Sequence, residues 1–264
     1  IVNGADSYEQ TLAVTHDVFH AAGDLMRERG AYFGVADEGG LWPDVRTNAE
    51  AIERVVAAIE RAGYRPGRDA SISLDIAASD LFDQASQTYR LRLEDKRLAP
   101  QEIADMIAGW CRDYPIVSVE DPLCDTDFDG WAALNARLGS AVQLVGDDLF
   151  TTNAQRIRTG IARRAANAVL IKLNQIGTVT ETIEAIRLTQ SAGWRPIVSA
   201  RSGETEDAFI SHLAVATDAG QIKVGSFSRS ERMVKWNELL RIGRQLGRRA
   251  RFASGATVLP GRPA

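Results

Sequence analysis

Six short runs along the chain are apolar and scarcely alternate: Ser71–Asp75 (SISLD), Ile116–Glu120 (IVSVE), Val142–Asp147 (VQLVGD), Ala168–Lys172 (AVLIK), Pro196–Ala200 (PIVSA) and Gln221–Gly225 (QIKVG). A strand covered on both faces reads this way, because neither side needs a polar residue. Stretches with helical spacing separate most of them: Pro100–Asp113, Asp127–Leu138, Asn153–Ile161, Thr178–Ala192, Glu204–Ala219 and Ser230–Leu246. Asp127, Asn153, Thr178 and Ser230 stand where helix starts are capped, and Gly139, Gly193 and Gly220 where helices end. Connections of this length join parallel strands through right-handed crossovers. Two more helices are predicted before the first strand, at about Ser7–Arg29 and Asn48–Ala62. Tyr32–Ala36 is a weaker strand candidate that leads into a Gly-rich loop, and Leu81–Leu93 reads as a β-hairpin inserted after the first good strand.

The predicted fold class is α/β, a TIM-type (β/α) barrel rather than an open doubly wound sheet. No Gly-rich phosphate fingerprint follows the first strand, which counts against a Rossmann fold. A closed barrel has eight strands, and six good ones are visible. The expectation is that the two opening strands lie in a segment preceding Ile1, since an open barrel would present two unpaired edges. Residues 1–247 read as one barrel domain, incomplete at its N-terminal end, and 248–264 as a basic tail containing Gly and Pro.

Composition narrows the picture. The 264 residues are 45% hydrophobic and 25% charged, which excludes a disordered chain. Lys+Arg 31 against Asp+Glu 35 leaves −4, which argues against nucleic acid or an anionic membrane surface as partner. Cys111 and Cys124 form neither a disulfide framework nor a metal-type spacing, so a reducing compartment is the default. With no apolar run long enough to span a bilayer and no basic-then-apolar leader, a cytoplasmic location is expected.

Candidate chemistry sits at the strand ends: Asp75, Glu120, Asp147, Lys172, Arg201 with Ser202, and Lys223. In a parallel barrel all of these ends point to one face, where barrel enzymes keep their active sites. Asp75, Glu120 and Asp147 fall on consecutive strands, which lie ~4.8 Å apart. Adjacent carboxylates at that spacing repel by roughly 3 kcal/mol per pair at an effective dielectric of ~20. Such a trio needs a cation, or must share protons. All-oxygen ligation favours Mg²⁺ or Mn²⁺ over zinc. A lysine beside a divalent ion and away from bulk water is destabilised in its charged form, as a base near neutrality requires. Lys172 fits that description; the plainer reading is that it pairs with the acids. Arg201, Ser202 and Lys223 suit a phosphate or carboxylate. Metal, base and anion receptors together point to proton abstraction alpha to a carboxylate. His16 and His20, four residues apart, suit a shared metal, but no third ligand is evident.

The runs DEGG (Asp37–Gly40), DIAAS (Asp75–Ser79), SVEDP (Ser118–Pro122), QLVGDDLFTTN (Gln143–Asn153), LIKLNQIGT (Leu170–Thr178), SARSGETED (Ser199–Asp207), GQIKVG (Gly220–Gly225) and SRSER (Ser228–Arg232) resemble those of the enolase (phosphopyruvate hydratase) family, with agreement from about Gly4 to Leu246. The resemblance implies the modified barrel of that family, a further N-terminal α+β domain that this chain does not contain, and a Mg²⁺-dependent, glycolytic hydro-lyase that interconverts 2-phosphoglycerate and phosphoenolpyruvate. It implies that Asp75, Glu120 and Asp147 ligate the metal, that Lys172 removes the C2 proton, that Glu38 assists departure of the C3 hydroxyl with Asp17 as its acidic companion, and that Arg201, Ser202 and Lys223 bind the substrate. The substrate is then a small phosphorylated carboxylate, and a homodimer is the expected assembly. Three departures stand out: Ala200 replaces a histidine, Asp17 replaces a glutamate, and Leu41-Trp42-Pro43-Asp44 replaces a run of smaller residues. They keep two alternatives open, a divergent lyase on another carboxylate and a non-catalytic binding or scaffold protein.

Overall fold

The computed structural model of the chain describes residues 1–253 and Val258. Its elements run α1 (Tyr8–Glu28), β1 (Tyr32–Val35), β2 (Leu41–Pro43), α2 (Asn48–Arg61), β3 (Ile72–Asp75), β4 (Phe82–Asp83), β5 (Thr88–Leu91), β6 (Lys96–Leu98), α3 (Pro100–Asp113), β7 (Ile116–Glu120) and α4 (Phe128–Leu138). They continue with β8 (Gln143–Gly146), α5 (Ala154–Arg163), β9 (Ala168–Ile171), α6 (Leu173–Ile176), α7 (Val179–Ser191), β10 (Arg195–Ser199), α8 (Phe209–Ala216), β11 (Ile222–Lys223) and α9 (Ser230–Leu246). All six apolar runs are parallel strands, β3 and β7 to β11, and the alternation with helices is that of an α/β barrel fold.

The chain divides into two compact units. Among the described residues, one holds Ile1–Ser71 and residues 198–253; the other holds Ile72–Ile197 and Val258. In the second unit, β3, β7, β8, β9 and the start of β10 are hydrogen-bonded in that order. Every residue of β7, β8 and β9 is buried, so their uninterrupted apolar character follows from cover on both faces. Helix α3 starts where Pro100 occupies the first turn and Glu102 accepts from the Ala99 N–H at 2.7 Å. Asp127, Asn153 and Thr178 each accept a backbone N–H of their helix's first turn, as their side chains predict. The inserted hairpin expected at Leu81–Leu93 is larger than that: β4, β5 and β6 form a three-stranded antiparallel sheet extending to Leu98.

In the first unit, α1 and α2 start at Ser7 and Thr47, whose hydroxyls accept from the N–H of Gln10 and Glu50. β1 and β2 form an antiparallel hairpin with the DEGG run at its tip. Of the Leu41–Asp44 stretch, Leu41–Pro43 is strand β2. The end of β10 pairs in parallel with β11, Ser199 opposite Lys223. Two expectations shift here. Ser230 is the first residue of α9 rather than its cap, which is Arg229, and no side chain caps that start. The helix expected from Glu204 starts only at Phe209, because residues 201–208 form a loop whose acids are engaged: Glu204 accepts from the Arg201 N–H and Asp207 from the Phe209 N–H. Of the tail, Gly247–Arg249 is a single 3₁₀ turn, while residues 254–257 and 259–264 lie outside the described residues.

Candidate functional site

In the second unit several acids stand at strand ends, and one of them, Asp147, meets Lys172. Asp75 and Glu120 are register partners at the ends of β3 and β7. Glu120 is buried and Asp75 exposed. Asp147 follows β8 and is buried, and Lys172 follows β9 with its side chain 15% exposed. Lys172 Nζ donates to Asp147 Oδ2. The other oxygen, Asp147 Oδ1, is buried and has no hydrogen-bond partner among the described residues. The backbone of Lys172 is anchored as well: its N–H donates to Thr152 Oγ1 at 2.9 Å, and that hydroxyl lies 3.2 Å from Gln175 Oε1.

Asp121 and Asp148 complete the cluster, and neither was singled out from the sequence. One oxygen each of Asp121, Asp147 and Asp148 lies within 4.8 Å of the others, the one grouping of three candidate ligands among the described residues. Asp121 is 3% exposed. Its Oδ1 accepts from the Asp147 N–H at 3.0 Å and its Oδ2 from the Asp148 N–H at 2.8 Å, so it braces the turn that presents Asp147. Burial pushes the Asp121 carboxyl up to about 7, with the charges of Asp147 and Asp148 adding to the rise and the two N–H donors opposing it. Burial also raises Asp148, helped by the charge of Asp147. The signal for Asp121 was its place between a strand-end acid and Pro122; that for Asp148 was the doubled Asp.

The turn after β8 depends on two glycines. A Cβ on Gly146 would lie 2.5 Å from the Phe150 ring and one on Gly160, in α5, 2.3 Å from it. Phe150 is completely buried. Its ring occupies the space that both glycines leave open, which fixes the turn that carries Asp147 and Asp148.

The first unit holds the remaining candidates. Glu38 lies at the hairpin tip, where the Ala36 N–H donates to the Gly40 carbonyl at 2.8 Å and Gly39 adopts φ +82°. Its carbonyl accepts from the Ser226 N–H at 2.8 Å, and its Oε1 from the Ser202 hydroxyl at 2.9 Å. Two residues assigned different roles are thus directly joined. Lys223 ends β11 and is partly exposed; its carbonyl accepts from the Ala200 N–H at 2.9 Å. Ala200 is buried. Asp17 is exposed on α1, where its partners are the Tyr64 hydroxyl at 2.8 Å and His16 at 3.3 Å; the hydrogen bond from Tyr64, more than His16, lowers its carboxyl. The His16 and His20 rings lie 4.3 Å apart, and both residues are exposed. Cys111 and Cys124 are free thiols.

The donor set of the second unit fits a hard divalent cation. The carboxylates of Asp121, Asp147 and Asp148 converge, and Asp147 Oδ1 is a buried acceptor lacking a donor among the described residues. No helix of the described residues is long and apolar enough to cross a membrane.

A curated protein of Desulfitobacterium hafniense named Enolase 1 is 50% identical over 255 residues, 96% of this chain. The chain spans 58% of that relative's length. The family model describing the enolase C-terminal TIM barrel domain matches residues 1–259. With nearly the whole sequence matched, the chain belongs to the enolase family.

Proposed function

We propose that this chain forms the catalytic barrel of a Mg²⁺-dependent hydro-lyase that reversibly dehydrates 2-phosphoglycerate to phosphoenolpyruvate. The observation that carries the reading is the largely buried Lys172–Asp147 pair at adjacent strand ends, in which one carboxylate oxygen meets the amine and the other has no donor among the described residues. Asp147, Glu120 and Asp75 are the proposed metal ligands, and Asp121 braces Asp147 from behind. Bound Mg²⁺ would supply the positive charge that stabilises a carboxylate-derived enolate. Lys172 Nζ takes the proton from C2, a position next to the substrate carboxylate. Glu38 gives a proton to the departing C3 hydroxyl, with its Oε1 held by Ser202. Arg201, Ser202 and Lys223 bind the anionic groups of the substrate. A homo-oligomer in the cytoplasm is the setting this reading expects, with neither nucleic acid nor a membrane as partner.

The test is phosphoenolpyruvate formation from 2-phosphoglycerate, with Mg²⁺ and with chelator. Turnover only with Mg²⁺ supports the reading, and its absence under both conditions rejects it. Ala200 motivates a second reading, a related lyase on another carboxylate, because a small side chain is buried where the resemblance implies a histidine. A panel of 3-hydroxy acids, with and without a phosphate on C2, separates the two: stronger turnover of another acid, little changed by Ala200→His, favours the second.

A further inference from the structure

Helix α9 buries two cations. Arg232 is 0% and Lys235 1% exposed, and an unpartnered cation in a core is strongly destabilising. Both are directed at one stretch of backbone, Arg201–Thr205. Arg232 Nη1 donates to the carbonyls of Arg201 at 2.6 Å and Val224 at 2.9 Å, and Nη2 to the carbonyl of Ser202 at 2.6 Å. Lys235 Nζ donates to the carbonyls of Thr205 at 2.6 Å and Glu231 at 2.9 Å, and pairs with Glu204 Oε2 at 3.0 Å. Glu204 Oε1 in turn accepts from the Arg201 N–H at 3.0 Å. Gly225 leaves room for this arrangement: at φ +135°, a Cβ there would lie 2.7 Å from Arg232 Cδ. The Arg201–Ser202 backbone is therefore held at both carbonyls and at the first amide, while Ser202 itself stays exposed with its hydroxyl on Glu38.

We propose that Arg232 and Lys235 are positioning residues for the anion-binding loop. They preset the Arg201 and Ser202 backbone, so that the loop need not be ordered when the substrate binds. Ordering a loop on binding weakens affinity, so these residues govern affinity more than the chemical step. The proposal rests on the reading above for the identity of the anion. Its test on the full chain uses Arg232→Lys, which keeps the charge but loses the planar fork that serves three carbonyls at once. The expected result has three parts. Amide hydrogen exchange across Ser202–Thr205 quickens about tenfold, calorimetric affinity for 2-phosphoglycerate with Mg²⁺ weakens about tenfold, and kcat changes less than about threefold. Unchanged exchange overturns the proposal. So does a lower kcat and melting temperature with unchanged affinity, which is the signature of a merely structural role. A parent protein that binds 2-phosphoglycerate without turning it over rejects the lyase reading and leaves the positioning role standing; one that does not bind it overturns both. Should Arg232→Lys fail to fold, the double variant Glu204→Gln/Lys235→Met removes both charges together and strands neither. It is read by the same measurements, with faster exchange and weaker affinity expected and no change in either overturning the proposal.

Discussion

Asp147 has two oxygens with different fates, one on the Lys172 amine and one without a donor among the described residues, and the proposed chemistry rests on this asymmetry. If Lys172 is the base, Lys172→Met removes turnover by roughly 10²–10⁴-fold, the range that general acid–base groups contribute. Phosphoenolpyruvate formation measures it, and a variant retaining a third of the activity would contradict the assignment. A second prediction at this scale concerns Cys111. Burial pushes its thiol up to about 11, and only the thiolate is nucleophilic. Alkylation of Cys111 at pH 8 is expected to run on the order of 100-fold slower than that of a free cysteine thiol of pKa about 8.5, and to accelerate as pH rises through 10. Mass spectrometry of the Cys111 peptide follows it, and fast labelling at pH 8 would refute it. Asp75, Glu120, Asp147 and Lys172 were readable as candidates because each ends a run that is otherwise apolar, where a charge is conspicuous. Asp121 was not, because its role depends on two N–H groups 26 and 27 residues away in sequence.

Among the elements, the buried strands were legible almost to the residue, since cover on both faces leaves an unbroken apolar signature. The β4–β6 sheet was only half legible, because its short strands mix exposed charges with two buried side chains, Tyr89 and Leu91. The late start of α8 was not legible at all. Glu204 favours a helix by itself, and its use as acceptor for Arg201 and partner for Lys235 overrides that preference. The Phe150 turn yields a prediction at this scale. Gly160→Ala would gain about 1 kcal/mol from helix propensity, but its Cβ would sit 2.3 Å from a fully buried ring. Overpacking typically costs about 1–3 kcal/mol, so a net loss of stability is expected. Urea melts measure it, and a more stable variant would show that the ring has room to move.

For the molecule as a whole, a cation held by the acidic cluster would link folding to its binding. A cation that binds the folded chain and not the unfolded one stabilises it by about 2.7 kcal/mol at a hundredfold excess over its dissociation constant. Mg²⁺ is therefore expected to raise the melting temperature of this chain, and Asp147→Asn to abolish most of that rise. A scanning melt with and without chelator decides it, and an equal rise in the variant would place the ion elsewhere. What the sequence by itself determined is the α/β class, the order of the strands and the charged groups at their ends, because burial on both faces and the strand period are local constraints written into consecutive residues. Which charges are buried, and what they hold, was decided only by tertiary structure. Nothing along α9 marks Arg232 and Lys235 as buried; carbonyls distant in sequence surround them, and the environment of a charge is a property of its neighbours in space rather than along the chain.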